Sequence, residues 1–250
     1  MSKEVKVVIP ARYGSSRLPG KPLLLLNGKP MYWHVVQRVI EAGVALSDIV
    51  VATDDERIVQ SVISESIPVQ ITSSKHVSGT DRINEVVTTN KWDDNVVVLN
   101  VQGDEPLIPS ALIADLISFS INNKDYSITT AVTPIQSESD YTNPNVVKAI
   151  LAEENRALYF TRSASPFSRD NPKDYSLAYR HIGIYGYRVS ALKRFCTYPE
   201  SKLEEYEKLE QLRALSYGMS IGAIVATSAP PHGIDTKADY EELKQLMANK

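Results

Sequence analysis

A single cysteine, Cys196, in 250 residues excludes an intramolecular disulfide. Its setting, Arg194-Phe195-Cys196, suits a buried filler better than a nucleophile. No long apolar run and no charged-plus-apolar leader opens the chain, so no membrane span or export segment is read, and a cytoplasmic location is expected. Net charge is only −3, which offers no broad attraction for nucleic acid, so binding of an anion has to be local. Internal repeats and low-complexity tracts are missing. His34 and His232 lack partners at metal-ligand spacing and read as ordinary surface or core residues. Neither G-x-x-x-x-G-K-[ST] nor G-x-G-x-x-G occurs at the first strand, so the common P-loop and dinucleotide readings lose support.

What stands there instead is PARYGSSRLPGKPL, Pro10 to Leu23, directly after the apolar run Val5–Ile9. A Gly- and Ser-rich turn leaving a strand aims backbone N–H groups at phosphate oxygens, and Arg12, Arg17 and Lys21 supply the charge that a triphosphate needs. A solvated basic loop is the competing reading.

The order of elements predicts an α/β fold. Strand candidates Val5–Ile9, Ile49–Ala52, Val69–Ile71 and Val96–Val101 alternate with helix candidates Met31–Ala42, Glu56–Glu65, Asp81–Thr89 and Ala111–Ser120. Strands then dominate, at Ile128–Val132, Val146–Leu151, Ala157–Thr161 and His181–Arg188, where antiparallel pairing or a dimerisation lobe is expected. A helix over Leu203–Tyr217, a strand over Ile221–Ala226 and an amphipathic helix over Lys237–Met247 complete the reading. The length suits one domain over residues 1–250, with a lobe near 125–200.

Ligands of an open α/β sheet gather beyond the carboxyl ends of its strands. Three segments meet that condition: Pro10–Leu23, Gln102-Gly103-Asp104-Glu105-Pro106, and Ser73–Arg82. Asp104 is placed to reach a magnesium ion riding on phosphates, which takes one or two carboxylates; Asp235 is the best second ligand. Capping of a turn or a helix explains both aspartates as well. Ser78, Gly79 and Arg82 at a helix start suit a phosphate or ribose hydroxyl, and ordinary capping explains the serine equally. Asp54-Asp55 reads as structural. Along His181–Arg188, alternation puts His181, Gly183, Tyr185 and Tyr187 on one face, fit for a hydroxylated ligand or for a packed partner. Arg162 and Arg169 are candidate forks for an acidic sugar's carboxylate.

These residues lie in blocks that resemble one family. PARYGSSRLPGKPL, VATDDERI, HVSGTDRINEVV, NVQGDEPLIP, NPNVVKAI, ALYFTRSASPF, YRHIGIYGYR, EYEKLEQLRAL and GIDTKADYEEL are similar, in order and nearly end to end, to the blocks of the CMP-Kdo synthetases, the 3-deoxy-manno-octulosonate cytidylyltransferases. The resemblance implies a nucleotide-diphospho-sugar transferase fold, a homodimer, Mg2+, and transfer from CTP to an acidic 2-keto sugar, Kdo, with release of pyrophosphate for lipopolysaccharide synthesis. It puts Arg12, Ser15 and Lys21 on the CTP phosphates, with Lys21, Arg12 and Asp104 catalytic. Ser78, Arg82 and Gln102 would lie near the nucleotide, Asp104 and Asp235 would hold magnesium, and Arg162, His181, Tyr185, Glu210 and Gln211 would hold the sugar. Asp81 stands where the family usually has Glu, Asn84 replaces a small apolar residue, and the stretch from Arg169 to His181 is short. These departures resemble the branch that activates 8-amino-3,8-dideoxy-manno-octulosonate. A cytidylyltransferase for another acidic sugar and a non-catalytic nucleotide-binding module are the alternatives.

Overall fold

A computed structural model describes residues 4–14, 18–226, 233–234 and 236–248. In chain order its elements are β1 (Val5–Pro10), β2 (Leu25–Leu26), β3 (Lys29–Pro30), α1 (Met31–Glu41), β4 (Ile49–Thr53), α2 (Glu56–Ser64), β5 (Val69–Ile71), α3 (Gly79–Thr89), β6 (Val97–Asn100), α4 (Ser110–Asn122), β7 (Ile128–Pro134), α5 (Glu138–Thr142), β8 (Lys148–Leu151), β9 (Ala157–Thr161), β10 (Tyr179–Arg188), α6 (Val189–Thr197), α7 (Lys202–Glu207), α8 (Gln211–Ser216), β11 (Ile221–Val225) and α9 (Lys237–Ala248). The chain divides into two compact units, 1–114 with 230–250, and 115–229.

The first unit is the expected βα alternation. β1 is flanked by β4 and β6, and β4 by β5, every pair parallel, with Val7 opposite Ile49 on one side and Leu99 on the other. A parallel strand covered on both faces has to be apolar on both, which is why Val7, Val8 and Ile9 have no exposed surface. Each such side chain contributes about 1.5–3 kcal/mol. Met31, Val35, Val36 and Val39 bury one face of α1, and Ile83, Val86 and Val87 one face of α3. The hairpin β2–β3 was not read from the sequence. Its turn is Asn27-Gly28, with φ of 47° and 78°, the two positive values that an Asn-Gly turn supplies.

The second unit bears out the expected change to antiparallel pairing. β10 lies antiparallel to β7 and β8, β8 antiparallel to β9, and β11 parallel to β7. Helices are more numerous here than the sequence suggests, since α5 and α6 lie in stretches read as connections. The single helix expected over Leu203–Tyr217 is two, α7 and α8. Lys208 ends α7 in the left-handed region, φ 53° and ψ 47°, and the chain turns there. Apolar spacing continues across the break, so periodicity alone runs the two helices together.

Candidate active site

In the first unit the loops after β1 and β6 meet. Gly103 sits where a Cβ would come within 2.8 Å of the Pro10 carbonyl oxygen, so only glycine lets the two loops touch and Asp104 emerge beside β1. Lys21 follows Gly20, whose φ of 70° starts a 3-10 turn over Lys21–Leu23. Its ammonium is buried and donates to Asp104 Oδ2 at 2.5 Å and to the Ile234 carbonyl at 2.6 Å. Ile234 N–H in turn donates to the Asp104 carbonyl, 3.1 Å. Lys21 and Asp104, 83 residues apart, are therefore in direct contact. The β1 loop is closed at its stem by Gly20 N–H on the Tyr13 carbonyl, 2.9 Å. The Arg57 guanidinium lies 3.3 Å from the centre of the Tyr13 ring and is itself held by Asp55 at 2.6 Å.

Arg12 reaches the third segment, donating through Nη1 to the Val77 carbonyl at 3.2 Å. Ser78 is the N-cap of α3. Its hydroxyl accepts from Asp81 N–H at 3.1 Å and donates to Asp81 Oδ2 at 2.9 Å, so the aspartate in place of glutamate closes the cap. Gln102 donates to Asn100 Oδ1 at 3.1 Å. Arg82 is not presented at the surface. It is fully buried, with Nη1 on the Thr72 hydroxyl and Nη2 3.1 Å from Asp54. Asp54 and Asp55 thus have structural partners, Asp55 as the N-cap of α2. Ser15, Arg17, His232 and Asp235 lie outside the described residues.

The sugar candidates belong to the second unit. Opposite Thr130 and Ala131 of β7, β10 carries two extra residues, Gly183 and Ile184. The Thr130 hydroxyl fills that bulge, 2.8 Å from the Ile184 carbonyl and 3.2 Å from that of Ile182. Both carbonyls only accept, so the hydroxyl proton goes to one of them, and His181 Nε2, 3.0 Å from Thr130 Oγ1, carries the hydrogen of that bond. Nδ1 is left as an acceptor. The rings of His181 and Tyr185 are 5.4 Å apart and those of Tyr185 and Tyr187 5.9 Å, so the expected aromatic face survives the bulge. Burial raises the Tyr185 phenol well above its ordinary value, and the Glu210 carboxylate adds to the rise. Gly186 is spoken for on the other side, where the Ser120 and Thr129 hydroxyls occupy the space of a side chain.

Arg162 departs furthest from its expected role as an open fork. Its Nε donates to the Glu207 carbonyl at 2.6 Å and its Nη1 to that of Pro144 at 2.9 Å, which ties the α7 terminus to the loop before β8. Arg169 is exposed. Glu210 precedes α8 as its N-cap, and Gln211 opens the helix, buried, its Nε2 without a hydrogen-bond partner among the described residues. Three groups escaped the sequence reading. Thr130 gives no signal. Lys148, a lone cation in the apolar run Val146-Val147-Lys148-Ala149-Ile150, and Glu207, in a charged helix, were visible but unassigned.

Burial pulls the His181 pKa from 6.5 down to about 3. The sign follows. Above pH 6.5 the imidazole is neutral folded and unfolded, and no dependence arises. Below it the unfolded chain takes up a proton that the fold refuses, so stability falls with pH by up to about 1.4 kcal/mol per unit from this side chain. Urea midpoints of wild type and His181→Gln between pH 6.5 and 4.5 isolate this share. The two curves should converge as pH drops; parallel curves would show that the imidazole protonates within the fold.

The comparisons agree with this architecture. A family model described as cytidylyltransferase matches residues 6–221. The 3-deoxy-manno-octulosonate cytidylyltransferase of Alteromonas mediterranea is 48% identical, over 96% of this chain and 98% of its own. The 3-deoxy-manno-octulosonate cytidylyltransferase 2 of Paraburkholderia phytofirmans is 45% identical, over 97% and 94%. Among solved structures, CMP:2-keto-3-deoxy-manno-octonic acid synthetase complexed with CTP superposes with a TM-score of 0.91 at 39% identity, covering 98% of this chain and 99% of that one. A cytidylyltransferase from Leptospira borgpetersenii, 17% identical, shares the fold at a TM-score of 0.65. With the family's match spanning most of the chain and full-length relatives well above 40% identity, the chain belongs to the cytidylyltransferases, among those of the 3-deoxy-manno-octulosonate type.

Proposed function

We propose that the protein transfers the cytidylyl group of CTP to an unphosphorylated 3-deoxy-manno-octulosonate sugar, with pyrophosphate as the second product, and that the CMP-sugar serves lipopolysaccharide synthesis. The observation that carries the reading is the Lys21–Asp104 contact at the ends of β1 and β6, a cation and a carboxylate brought together where a triphosphate binds in such folds. The anomeric hydroxyl oxygen attacks the α-phosphorus; the bond to the β-phosphate oxygen breaks, and the hydroxyl proton leaves to solvent. No covalent enzyme intermediate is needed. Transfer of this kind depends on positioning and charge neutralisation, so Lys21 and Arg12 bind the triphosphate and stabilise the charge that gathers on the departing pyrophosphate.

A magnesium ion fits the donor chemistry. Asp104 offers a partly exposed carboxylate, 32% accessible, beside the Lys21 ammonium, which is a hard oxygen donor of the type magnesium takes together with phosphates. With Asp235 it would hold the ion, which when bound supplies charge neutralisation and lowers the pKa of a coordinated oxygen. On the sugar side, neutral His181 accepts a hydroxyl through Nδ1, Tyr185 donates, and Gln211 offers a buried amide that lacks a hydrogen-bond partner among the described residues. Homodimer formation and a cytoplasmic location belong to the same reading.

Asp81 and Asn84 make the 8-amino sugar the second substrate to test. Purified protein with CTP and Mg2+ should release pyrophosphate with Kdo or its 8-amino counterpart and not with a sugar 1-phosphate. CTP binding without pyrophosphate from either sugar would turn the assignment toward a nucleotide-binding module.

A further inference from the structure

Glu207 is the last residue of α7, and the donors to its carboxylate among the described residues include Thr161, which ends β9, and Arg162, which follows it. Oε1 accepts the Thr161 hydroxyl at 2.8 Å, and Oε2 accepts Arg162 N–H at 2.9 Å. Its carbonyl accepts Arg162 Nε at 2.6 Å. Tyr159 shares the carboxylate, and its phenol is raised first by its own burial and then by the charge of Glu207. On the far side of the same strand end, the fully buried Lys148 spends its ammonium on three carbonyls, those of Arg162 at 2.7 Å, Val146 at 2.6 Å and Asn143 at 2.9 Å. Arg162 is therefore fixed through its N–H, its carbonyl and its guanidinium, and Glu207 takes part in two of the three. Directly after Glu207 comes the left-handed Lys208, then Leu209, then Glu210 and Gln211. Two donors on the carboxylate and a third on the carbonyl of the same residue, at a chain reversal, fix where the next four residues lie.

We infer that Glu207 is a positioning residue of the sugar site: by binding Thr161 and Arg162 at the end of β9 it sets the α7–α8 turn and so places Glu210 and Gln211. The inference rests on the sugar reading above. It assigns Glu207 no contact with substrate, and the sequence offers no motif for it. A misplacement of about 1 Å in a binding group costs on the order of 100-fold. Glu207→Gln keeps the shape but turns an amide donor toward either Arg162 N–H or the Thr161 hydroxyl.

The test is steady-state kinetics with CTP and the sugar varied in turn, on wild type, Glu207→Gln, Thr161→Val and Gln211→Ala. Glu207→Gln should raise KM for the sugar by about 10- to 100-fold and leave KM for CTP within about twofold. Thr161→Val, which removes one donor and keeps the buried volume, should raise the sugar KM by a smaller factor, and it decides the matter if Glu207→Gln does not fold. Equal rises in both KM values, or no rise for the sugar, overturn the inference. An unchanged sugar KM in Gln211→Ala sinks the sugar reading and the inference together; a raised one there beside an unchanged one in Glu207→Gln sinks the inference alone.

Discussion

Asp104→Asn is expected to lower kcat at least about 100-fold, the loss that follows removal of one charged group from a phosphoryl-transfer site. The fold should persist. The Lys21–Asp104 pair is partly open to solvent, and a pair of that kind is worth about 1 kcal/mol or less, a shift in melting temperature of roughly 2–4 °C for a chain of this size. A second pair supplies the control. Lys6 and Asp48 are also 2.5 Å apart, with Asp48 more deeply buried, and they lie at the opposite ends of β1 and β4. Asp48→Asn should cost at least as much stability and leave kcat within about twofold. If the two variants behave alike in turnover, or if Asp104→Asn turns over like wild type, the carboxylate has no part in the chemistry and the cation–carboxylate contact is merely architectural.

The contrast between these pairs also explains what a reader of the sequence can and cannot see. The βα alternation was legible because parallel strands buried on both faces have to be written as largely apolar runs, as in Val5–Ile9, interrupted only by Lys6, and Val96–Val101, interrupted only by Asn100. The loops after them could be named as a site because sheet topology puts ligands at carboxyl ends, and Lys21 and Asp104 do meet there. Partners were another matter. Arg82 at the start of a helix reads as a cation offered to a ligand, yet it is fully buried, with Nη1 on Thr72 and Nη2 beside Asp54. Arg162 reads as an open fork, yet backbone carbonyls of Pro144 and Glu207 take its donors. Sequence names the charge on a side chain and leaves unnamed the carbonyl that satisfies it. Ser78 is ambiguous for a different reason, since capping and ligand binding ask for the same hydroxyl. The break at Lys208 escaped because hydrophobic spacing reports which face is buried and says nothing about φ.

Arg213→Ala should destabilise the second unit by about 3–5 kcal/mol. Glu204 sits one helical turn before Glu207 on α7 but has a different partner, Arg213 of α8. Arg213 of α8 grips it with Nε at 2.8 Å and Nη2 at 2.5 Å, and both side chains are nearly inaccessible, at 11% and 7%. The carboxylate also accepts Ser201 N–H at 3.1 Å, closing a capping box at the start of α7, while the guanidinium lies 4.8 Å from the centre of the Phe195 ring. Truncating Arg213 strands a buried carboxylate with one donor in place of three, and the penalty for that uncompensated charge exceeds what the pair contributed when intact. A melting temperature lower by on the order of 10 °C should result. Glu204→Gln combined with Arg213→Met removes both charges and keeps the volume, so the double variant should be more stable than Arg213→Ala despite carrying more changes. A loss under about 1 kcal/mol for Arg213→Ala would mean that water reaches Glu204 and that α7 and α8 are held by their apolar faces instead. The two carboxylates of one short helix are thereby separable by experiment: Glu204 should register in the melting temperature, and Glu207 in the sugar KM.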